Sequence, residues 1–250
     1  MPRISNKTNR QIKRNITGYL DRRKQENNRG AFDAVFHILA ALVAVLLPLS
    51  LVALSAGVVF RVPDLMAFEI DRNGVLQEFG LDLAPDAVAD EISGYLRHKK
   101  DVLELTTQVA RKDVPVFSFM DEVNLSRIRA LLDKSLYPAA GAFVLSVALF
   151  IAVRLAGRRR YLGYAVRVSV FLYICALCFT LALALYAPVR EKVFAWQPGV
   201  EFSETDLLPH LFGGLFPILS AGMTCLLSFI IYITLYSIMI RFTKEKEKMF

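Results

Sequence analysis

Four long stretches of the chain contain no Asp, Glu, Lys or Arg. A helix needs about 20 mostly apolar residues to cross a bilayer, with a range of roughly 17–25. The pattern therefore predicts four transmembrane helices, at residues 36–60, 137–153, 168–187 and 215–240. The polar segments that remain outside the membrane are residues 1–35, 61–136, 154–167, 188–214 and 241–250.

The composition supports this prediction and excludes other classes of protein. The chain has 250 residues, of which 55% are apolar and 21% are charged, and its mean hydropathy is +0.42. An ordinary soluble domain is about 45–50% apolar and about a quarter charged. These values argue against a soluble enzyme, a DNA-binding domain and a disordered tail. The predicted fold class is an all-α integral membrane protein, with four transmembrane helices and a small extracytoplasmic helical cap.

Positive charge is unevenly distributed among the polar segments. Residues 1–35 hold nine Lys/Arg against three Asp/Glu, and residues 154–167 hold five against none. Residues 61–136 hold ten against fourteen, and residues 188–214 hold two against four. Because basic flanks of membrane spans stay in the cytoplasm, both termini and the 154–167 loop are predicted to be cytoplasmic. The cap, 61–136, and the loop 188–214 are predicted to face outward, on the opposite side of the membrane.

The basic pI of about 9.4 is compatible with two kinds of partner. Nucleic acid is one, since clustered Lys and Arg neutralise phosphates. Anionic lipid headgroups are the other, and each basic residue near the surface contributes about 1 kcal/mol to that attraction. Because the basic residues flank predicted spans, we expect membrane lipid as the partner and no nucleic acid.

The 61–136 segment carries several local structural signals. Residues 61–71 have a strand-like pattern, and Asp71-Arg-Asn-Gly74 is typical of a turn. Pro85 suits the first turn of a helix. Ser118-x-x-Asp121 has the spacing of a capping box in its acidic form, and the apolar residues after it predict a helix that leads almost directly into the second span. On the Pro85 helix, one apolar face is formed by Val88, Ile92, Tyr95 and Leu96.

The 188–214 segment predicts a short helix at the membrane surface. Trp196 lies near the outer edge of the third span, where amphipathic rings settle among headgroups. Ser203-x-x-Asp206 has N-cap spacing, and His210 follows Asp206 by one helical turn. Asp206 is therefore placed to orient the imidazole of His210. The alternative is an interfacial histidine packed under Phe212 and Trp196 without a chemical role.

No common nucleotide, zinc-protease or serine-hydrolase motif occurs in the sequence, and no cofactor or metal is predicted. The pair Cys175-Ala-Leu-Cys178 matches C-x-x-C, but it lies inside a predicted span. Small buried apolar side chains are the expected role of both residues. His98 stands in a charged Arg-His-Lys-Lys run, which is typical of a solvated helix end.

The arrangement resembles the bacterial family of four-span membrane proteins, long of unknown function, that includes the lipoprotein intramolecular transacylases. The similarity covers roughly residues 40–240. It consists of a proline-containing first span that ends in Val-Val-Phe-Arg-Val-Pro63, the lead-in Val116-Phe-Ser-Phe-Met-Asp-Glu122, a helix into the second span, Phe194-Ala-Trp196, and Asp206-Leu-Leu-Pro-His-Leu-Phe212.

This resemblance implies O-to-N acyl transfer on the outer face of the membrane, from the glycerol oxygen of a lipoprotein's lipidated cysteine to the amine of that cysteine. The reaction needs a base, a proton donor and donors to an oxyanion. His210 is the expected base and Asp206 its orienting residue. Asn124, Arg127 and Trp196 are the expected contacts of the substrate or headgroup.

The sequence departs from the family at one position in particular. Where the family typically has His followed three residues later by Asp, this chain has Asn124-Leu-Ser-Arg127. Two functions are therefore considered. One is a transacylase-like enzyme that acts on lipoproteins. The other is a non-catalytic partner that binds lipid or assists assembly after losing the catalytic His and Asp.

Overall fold

In a computed structural model, the described residues are 6–109, 112–186, 207–211 and 215–243, with side chains described for 33–108, 113–186, 207–210 and 215–243. Helices predominate in these ranges, and a single two-stranded hairpin is present. The elements are α1 Asn6–Val59, α2 Pro63–Asn73, α3 Val75–Glu78, α4 Pro85–Leu96, β1 Thr106–Val109, β2 Lys112–Pro115, α5 Phe119–Leu155, α6 Arg159–Leu185, α7 Leu207–Leu211 and α8 Phe216–Thr243.

Four of the described helices are long and apolar enough to cross a membrane. They are the Asp33–Val59 part of α1, α5, α6 and α8, with mean hydropathies between 2.1 and 2.7. Their outward faces carry exposed apolar side chains such as Leu145, Phe171 and Ile230. Such faces suit contact with acyl chains rather than water. The predicted all-α fold with four spans is confirmed.

The helices extend beyond the predicted spans. α5 runs without a break from the cap to the far end of the second span, with Pro138 inside it, so the predicted direct entry into that span is confirmed. Most of the segment 154–167 is helical, because α5 continues to Leu155 and α6 begins at Arg159. Gly157, with φ +75°, lies in the short connection between them.

The spans pack around α1, which contacts α5, α6 and α8. The interface between α6 and α8 is joined by two reciprocal pairs of hydroxyl groups. Ser169 Oγ lies 2.8 Å from Tyr232 Oη, and Tyr173 Oη lies 3.0 Å from Ser228 Oγ. The two tyrosine rings stack with their centroids 4.1 Å apart. Hydrogen bonds of this kind satisfy polar groups that lipid cannot.

The strand-like pattern predicted at residues 61–71 is wrong, because α2 occupies this region. Pro63 stands in its first turn, where a fixed φ and a missing N–H suit a helix, and Asp64 lies at its positive end. The buried residues Met66 and Ile70 are one turn apart, as on a helix face. α2 ends at Gly74, whose φ is +63°, so the predicted turn is confirmed.

The cap also contains a hairpin that the sequence pattern does not predict. β1 and β2 pair antiparallel, with Thr106 opposite Pro115 and Gln108 opposite Asp113. Most of the described side chains on these strands are exposed. The hairpin therefore lacks the alternation of apolar and polar residues by which a half-buried strand is recognised.

A hydrophobic core holds the cap together and joins it to the start of α8. The apolar face predicted on α4 is buried at Val88, Ile92 and Leu96, with Tyr95 partly buried beside them. Other buried members come from α2, α3, the segments around the hairpin, and α5. The fully buried Leu208 on α7 and Phe216 on α8 complete the core.

One buried cation, Arg61, fastens the cap to the spans. It follows the end of α1, and its guanidinium donates to Asp133 Oδ1 on α5 at 2.6 Å, to Leu96 O at 2.9 Å and to Gly57 O at 3.2 Å. The Arg61 side chain is 11% exposed and that of Asp133 is 18% exposed. A charge this deeply buried needs such partners, since its desolvation is costly.

The backbone carbonyl of Arg61 is used as well. It accepts a hydrogen bond of 2.7 Å from Ser93 Oγ and one of 2.8 Å from Arg97 Nε. Both donors lie at the C-terminal end of α4. The side chain and the backbone carbonyl of Arg61 therefore both hold α4 against the end of α1.

We expect Asp133→Asn to lower the free energy of unfolding by about 3 kcal/mol, because it leaves Arg61 buried without its counter-charge. Thermal unfolding of the purified protein in detergent should show a midpoint lowered by several degrees. Asp90→Asn is the matched control, since Asp90 is exposed on α4. Equal midpoints for the two variants would contradict the role given to Asp133.

Candidate functional site

Asp121 lies where α5 begins and where α7 packs onto the cap. It is 1% exposed. As the sequence predicts, it forms a capping box with Ser118: Ser118 Oγ accepts from the N–H of Asp121 at 3.0 Å, and Asp121 Oδ2 accepts from the N–H of Ser118 at 3.0 Å. This arrangement satisfies backbone donors at the start of α5.

The same carboxylate also caps α7, which the sequence does not predict. Asp121 Oδ1 accepts from the N–H of Leu208 at 3.1 Å, and Oδ2 accepts from the N–H of Leu207 at 3.4 Å. One buried carboxylate therefore serves the N-termini of two helices that are about 86 residues apart in sequence. This contact places α7, and with it His210, against α5.

His210 lies on α7 and is half-buried. Its ring packs edge-on against Phe79, with the ring centroids 5.1 Å apart. Phe79 follows α3, so the imidazole lies at the border of the hydrophobic core of the cap. The predicted orienting residue Asp206 and the predicted contact Trp196 lie outside the described residues, as does Phe212.

Asn124 and Arg127 do not share an environment. Asn124 is fully buried one turn after Asp121 on α5. Arg127, three residues further on, is exposed. The two side chains, three residues apart on α5, therefore differ in burial. A joint contact with one substrate atom remains a prediction.

His98 is better connected than its charged surroundings suggest. Its Nε2 lies 2.8 Å from Asp133 Oδ2, the carboxylate oxygen that Arg61 does not take. The His98 side chain is 44% exposed, and its φ of +58° is left-handed, which is uncommon for a residue other than glycine. An imidazole oriented by a carboxylate is an arrangement that supports proton transfer, and a solvated helix end would not require it.

Sequence reasoning also missed a buried carboxylate, Glu69 on α2. It is fully buried, and its Oε2 accepts from Asn73 Nδ2 at 3.1 Å. Arg72 Nη1 lies 3.9 Å from its other oxygen. On a helix over residues 63–73, Glu69 lies on the same face as Met66 and Asn73. The strand interpretation gave no reason to expect Glu69 to be buried with Met66.

A cavity of about 700 Å³ lies between α1, α6 and α8, in the half of the spans next to the cap. We call it the cap-side cavity. Its end toward the cap is marked by Phe60, which contacts Phe216 edge-on with ring centroids 5.7 Å apart. It is lined by Leu49, Val52, Ala53, Ala56, Phe60, Leu172, Cys175, Ala176, Phe179, Thr180, Leu183, Ala184, Pro217, Ser220, Ala221 and Thr224.

The lining of the cap-side cavity is almost entirely apolar, and several of its side chains also face the lipid. Leu49 is 51% exposed and Phe179 is 60% exposed. The cavity is therefore continuous with the membrane on one side. Phe216 joins its upper end to the cap core that holds Leu208 of α7.

Solved structures of one membrane protein have this arrangement of helices. The membrane integral lipoprotein intramolecular transacylase Lit from Bacillus cereus, in a histidine-to-arginine variant, matches with a TM-score of 0.59 and 16% identity, over 88% of this chain and 96% of that one. The chain has the fold of this transacylase. A second structure of Lit matches with a TM-score of 0.57 and 18% identity, over 85% and 97% of the two chains.

A histidine-to-alanine variant of Lit gives a TM-score of 0.58 at 16% identity, over 87% of this chain and 97% of that one. No protein-family model matches the chain, and no curated protein matches it. The resemblance to the transacylases that the sequence suggests is thus confirmed at the level of the fold.

We expect Asp121→Asn to loosen α7, because Asn has only one accepting oxygen, and the N–H groups of Leu207 and Leu208 are bonded to different oxygens of Asp121. A loss of about 1.4 kcal/mol at this contact corresponds to roughly tenfold faster amide exchange. Hydrogen exchange measured at Leu207 and Leu208 should show this increase. Glu122→Gln, the neighbouring charge-neutralising change, should leave both rates within twofold of the unchanged protein. Similar rates in the two variants would show that Asp121 does not hold α7.

Proposed function

We propose that this chain is a bacterial cytoplasmic-membrane enzyme that transfers an acyl chain within a lipidated substrate at the outer leaflet. The proposed substrate is a lipoprotein whose N-terminal cysteine carries a diacylglyceryl group. The observation that carries the proposal is the cap-side cavity, which lies below the cap in a chain with the fold of a lipoprotein transacylase.

The cap-side cavity suits an acyl chain in size and chemistry. Its volume of about 700 Å³ falls within the range of roughly 300–1,000 Å³ found for ligand pockets. The described lining residues include no charged group, and Ser220 and Thr224 are the buried polar residues among them. Because Leu49 and Phe179 face the bilayer, a lipid can enter sideways without leaving the membrane.

The proposed reaction balances within one substrate molecule. The α-amine of the cysteine attacks the carbonyl carbon of a glycerol ester, a C–N bond forms and the C–O bond breaks. The proton released by the amine passes to a base and then to the departing alkoxide. Histidine can carry this proton near neutral pH, and His210 is the proposed base, with Asp206 orienting it.

The other proposed contacts concern the oxyanion and the headgroup. Asn124 lies on α5 beside Asp121, on the side where α7 packs, and a side-chain amide can donate to an oxyanion. Exposed Arg127 suits the phosphate or carbonyl groups of the membrane surface. Trp196 is proposed to sit at the same level.

The proposed orientation places both termini in the cytoplasm and the cap outside, as the charge distribution predicts. Membrane lipid is the expected partner in either of the functions considered. Lipoproteins are the further partner that the enzymatic proposal requires.

One observation favours the second function, a non-catalytic partner that binds lipid or assists assembly. Asn124, which stands where the family typically has histidine, is fully buried, and an amide cannot act as a base. A protein with this fold, a lipid-sized cavity and no working base would bind a lipidated partner without acylating it.

Mass spectrometry of lipoprotein N-termini separates the two functions. In a bacterium lacking other lipoprotein N-acylation, expression of this chain should produce cysteine amines that carry an acyl group, with one ester lost from the same molecule. His210→Gln should reduce the acylated fraction at least about tenfold, as expected for loss of a general base. Unacylated lipoproteins in the presence of the unchanged chain would exclude the enzymatic function.

A matched pair of variants tests the cap-side cavity separately. The expectation that Cys175 and Cys178 are buried is wrong, since both are exposed on α6. Of the two, Cys175 lines the cavity and Cys178 does not. Cys175→Phe should lower the acylated fraction severalfold by occupying space that an acyl chain needs, whereas Cys178→Phe should not. Equal activity of both variants would show that the cavity is not the site of the acyl chain.

A further inference from the structure

A second apolar groove lies in the half of the spans that is away from the cap. We call it the distal groove. It has a volume of about 300 Å³ and is bounded by α1, α5 and α8. Its lining residues are Val43, Leu47, Ser146, Val147, Phe150, Ile151, Arg154, Leu155, Leu235, Ile238, Met239 and Phe242.

The groove exists because α5 and α8 both pack on α1 and leave a channel between them. Its floor includes the buried residues Val43 and Leu47 of α1. The rims are exposed at Ile151 and Ile238, by 50% and 45%. Ser146 Oγ donates to the carbonyl of Phe143, so its hydroxyl has an internal partner and the channel is apolar along its length.

Arg154 is the only charged residue in the described lining, and it stands at the end of the groove near the membrane surface. Its guanidinium carbon lies 4.2 Å from the centroid of the Phe242 ring, so an α8 side chain holds the cation across the groove from α5. Among the described carboxylates, none forms an ion pair with Arg154.

The neighbouring Arg158 shows the contrast. It lies over the Phe36 ring at 5.5 Å, and its Nη1 is 3.1 Å from Asp33 Oδ1. Arg158 is therefore neutralised within the protein, whereas Arg154 presents its charge beside an apolar channel. The segment around it, residues 154–167, holds five arginines and no acidic residue, which favours an anionic ligand.

We propose that the distal groove binds an anionic phospholipid of the leaflet at the Arg154 end of the spans. One acyl chain lies between α5 and α8, and the phosphate accepts hydrogen bonds from Arg154. Arginine is suited to this role because its planar donors match the oxygens of a phosphate. Basic pockets between membrane helices bind lipid headgroups by the same combination of charge and shape.

This site is distinct from the proposed acyl-transfer site and does not depend on it. Among the described residues, the linings of the distal groove and the cap-side cavity have none in common, and they use opposite halves of the α1 span. Occupancy of the distal groove is therefore measurable in the absence of any activity.

The test uses the full-length protein in detergent, equilibrated with equal amounts of phosphatidylglycerol and phosphatidylcholine, with the retained lipid measured by native mass spectrometry. The unchanged protein should prefer phosphatidylglycerol by roughly fivefold, as expected for one basic contact near the membrane surface. Arg154→Gln should abolish that preference. Arg160→Gln removes the same charge from an exposed residue outside the groove and should leave it within twofold.

A second pair of variants tests the channel. Ile238 lines the groove and Ile233 does not, although both are on α8 and both are 45% exposed. Ile238→Trp should reduce the retained phosphatidylglycerol severalfold, and Ile233→Trp should not. Equal losses of the preference in Arg154→Gln and Arg160→Gln would overturn the proposal, since binding would then depend on general surface charge. Equal retention of phosphatidylglycerol by the two tryptophan variants would overturn it as well, since binding would then not depend on the groove.

Discussion

The position of the cap depends on the need to compensate Arg61, a buried cation at the end of the first span. Its side chain reaches Asp133 on α5 and the last carbonyl of α4, while its own carbonyl accepts from Ser93 and Arg97. Removing such a charge from water is costly, and each of these contacts offsets part of that cost. α1, α4 and α5 are thereby fixed to one another at the level where the spans end.

Two lipid-sized spaces follow from the way the spans surround α1. α1 contacts α5, α6 and α8, and spaces remain beside α1 between pairs of these outer helices. The cap-side cavity is the gap between α6 and α8, and the distal groove is the gap between α5 and α8. The hydroxyl pairs of Tyr173 and Tyr232 close the α6–α8 interface below the cap-side cavity.

The spans, the α4 face and the Ser118–Asp121 cap could be predicted because each depends on residues that are close in sequence. Charge in a membrane core is expensive, so uncharged runs identify the spans. α2 is not predicted because Phe68-Glu69-Ile70-Asp71 alternates apolar and polar residues as a strand does, although Phe68 is exposed and Glu69 is buried. The hairpin is not predicted because its strands are short and solvated. The pairing of Arg61 with Asp133, 72 residues away, and the second role of Asp121 require the folded chain.

In the candidate site too, features set by residues close in sequence could be predicted, and features set by long-range contacts could not. His210 could be singled out from its place beside Asp206 and near a predicted membrane surface, but its contact with Phe79 comes from a distant helix. Glu69 and the His98–Asp133 pair were not predicted, because burial and long-range contact define them. The cap-side cavity could not be predicted either, because it is a space between three helices and the residue pattern of a single helix does not show it.

The continuity of α5 has a mechanical consequence. With 37 residues and a rise of 1.5 Å per residue, the helix is about 55 Å long. Asp121 lies near one end and Arg154 near the other, so the two ends of α5 are connected by one continuous helix. Pro138 lies between them and lacks the N–H that would bond to the carbonyl of Lys134. The α5 backbone therefore lacks one intrahelical hydrogen bond at Pro138, and bending of the helix is expected at this position.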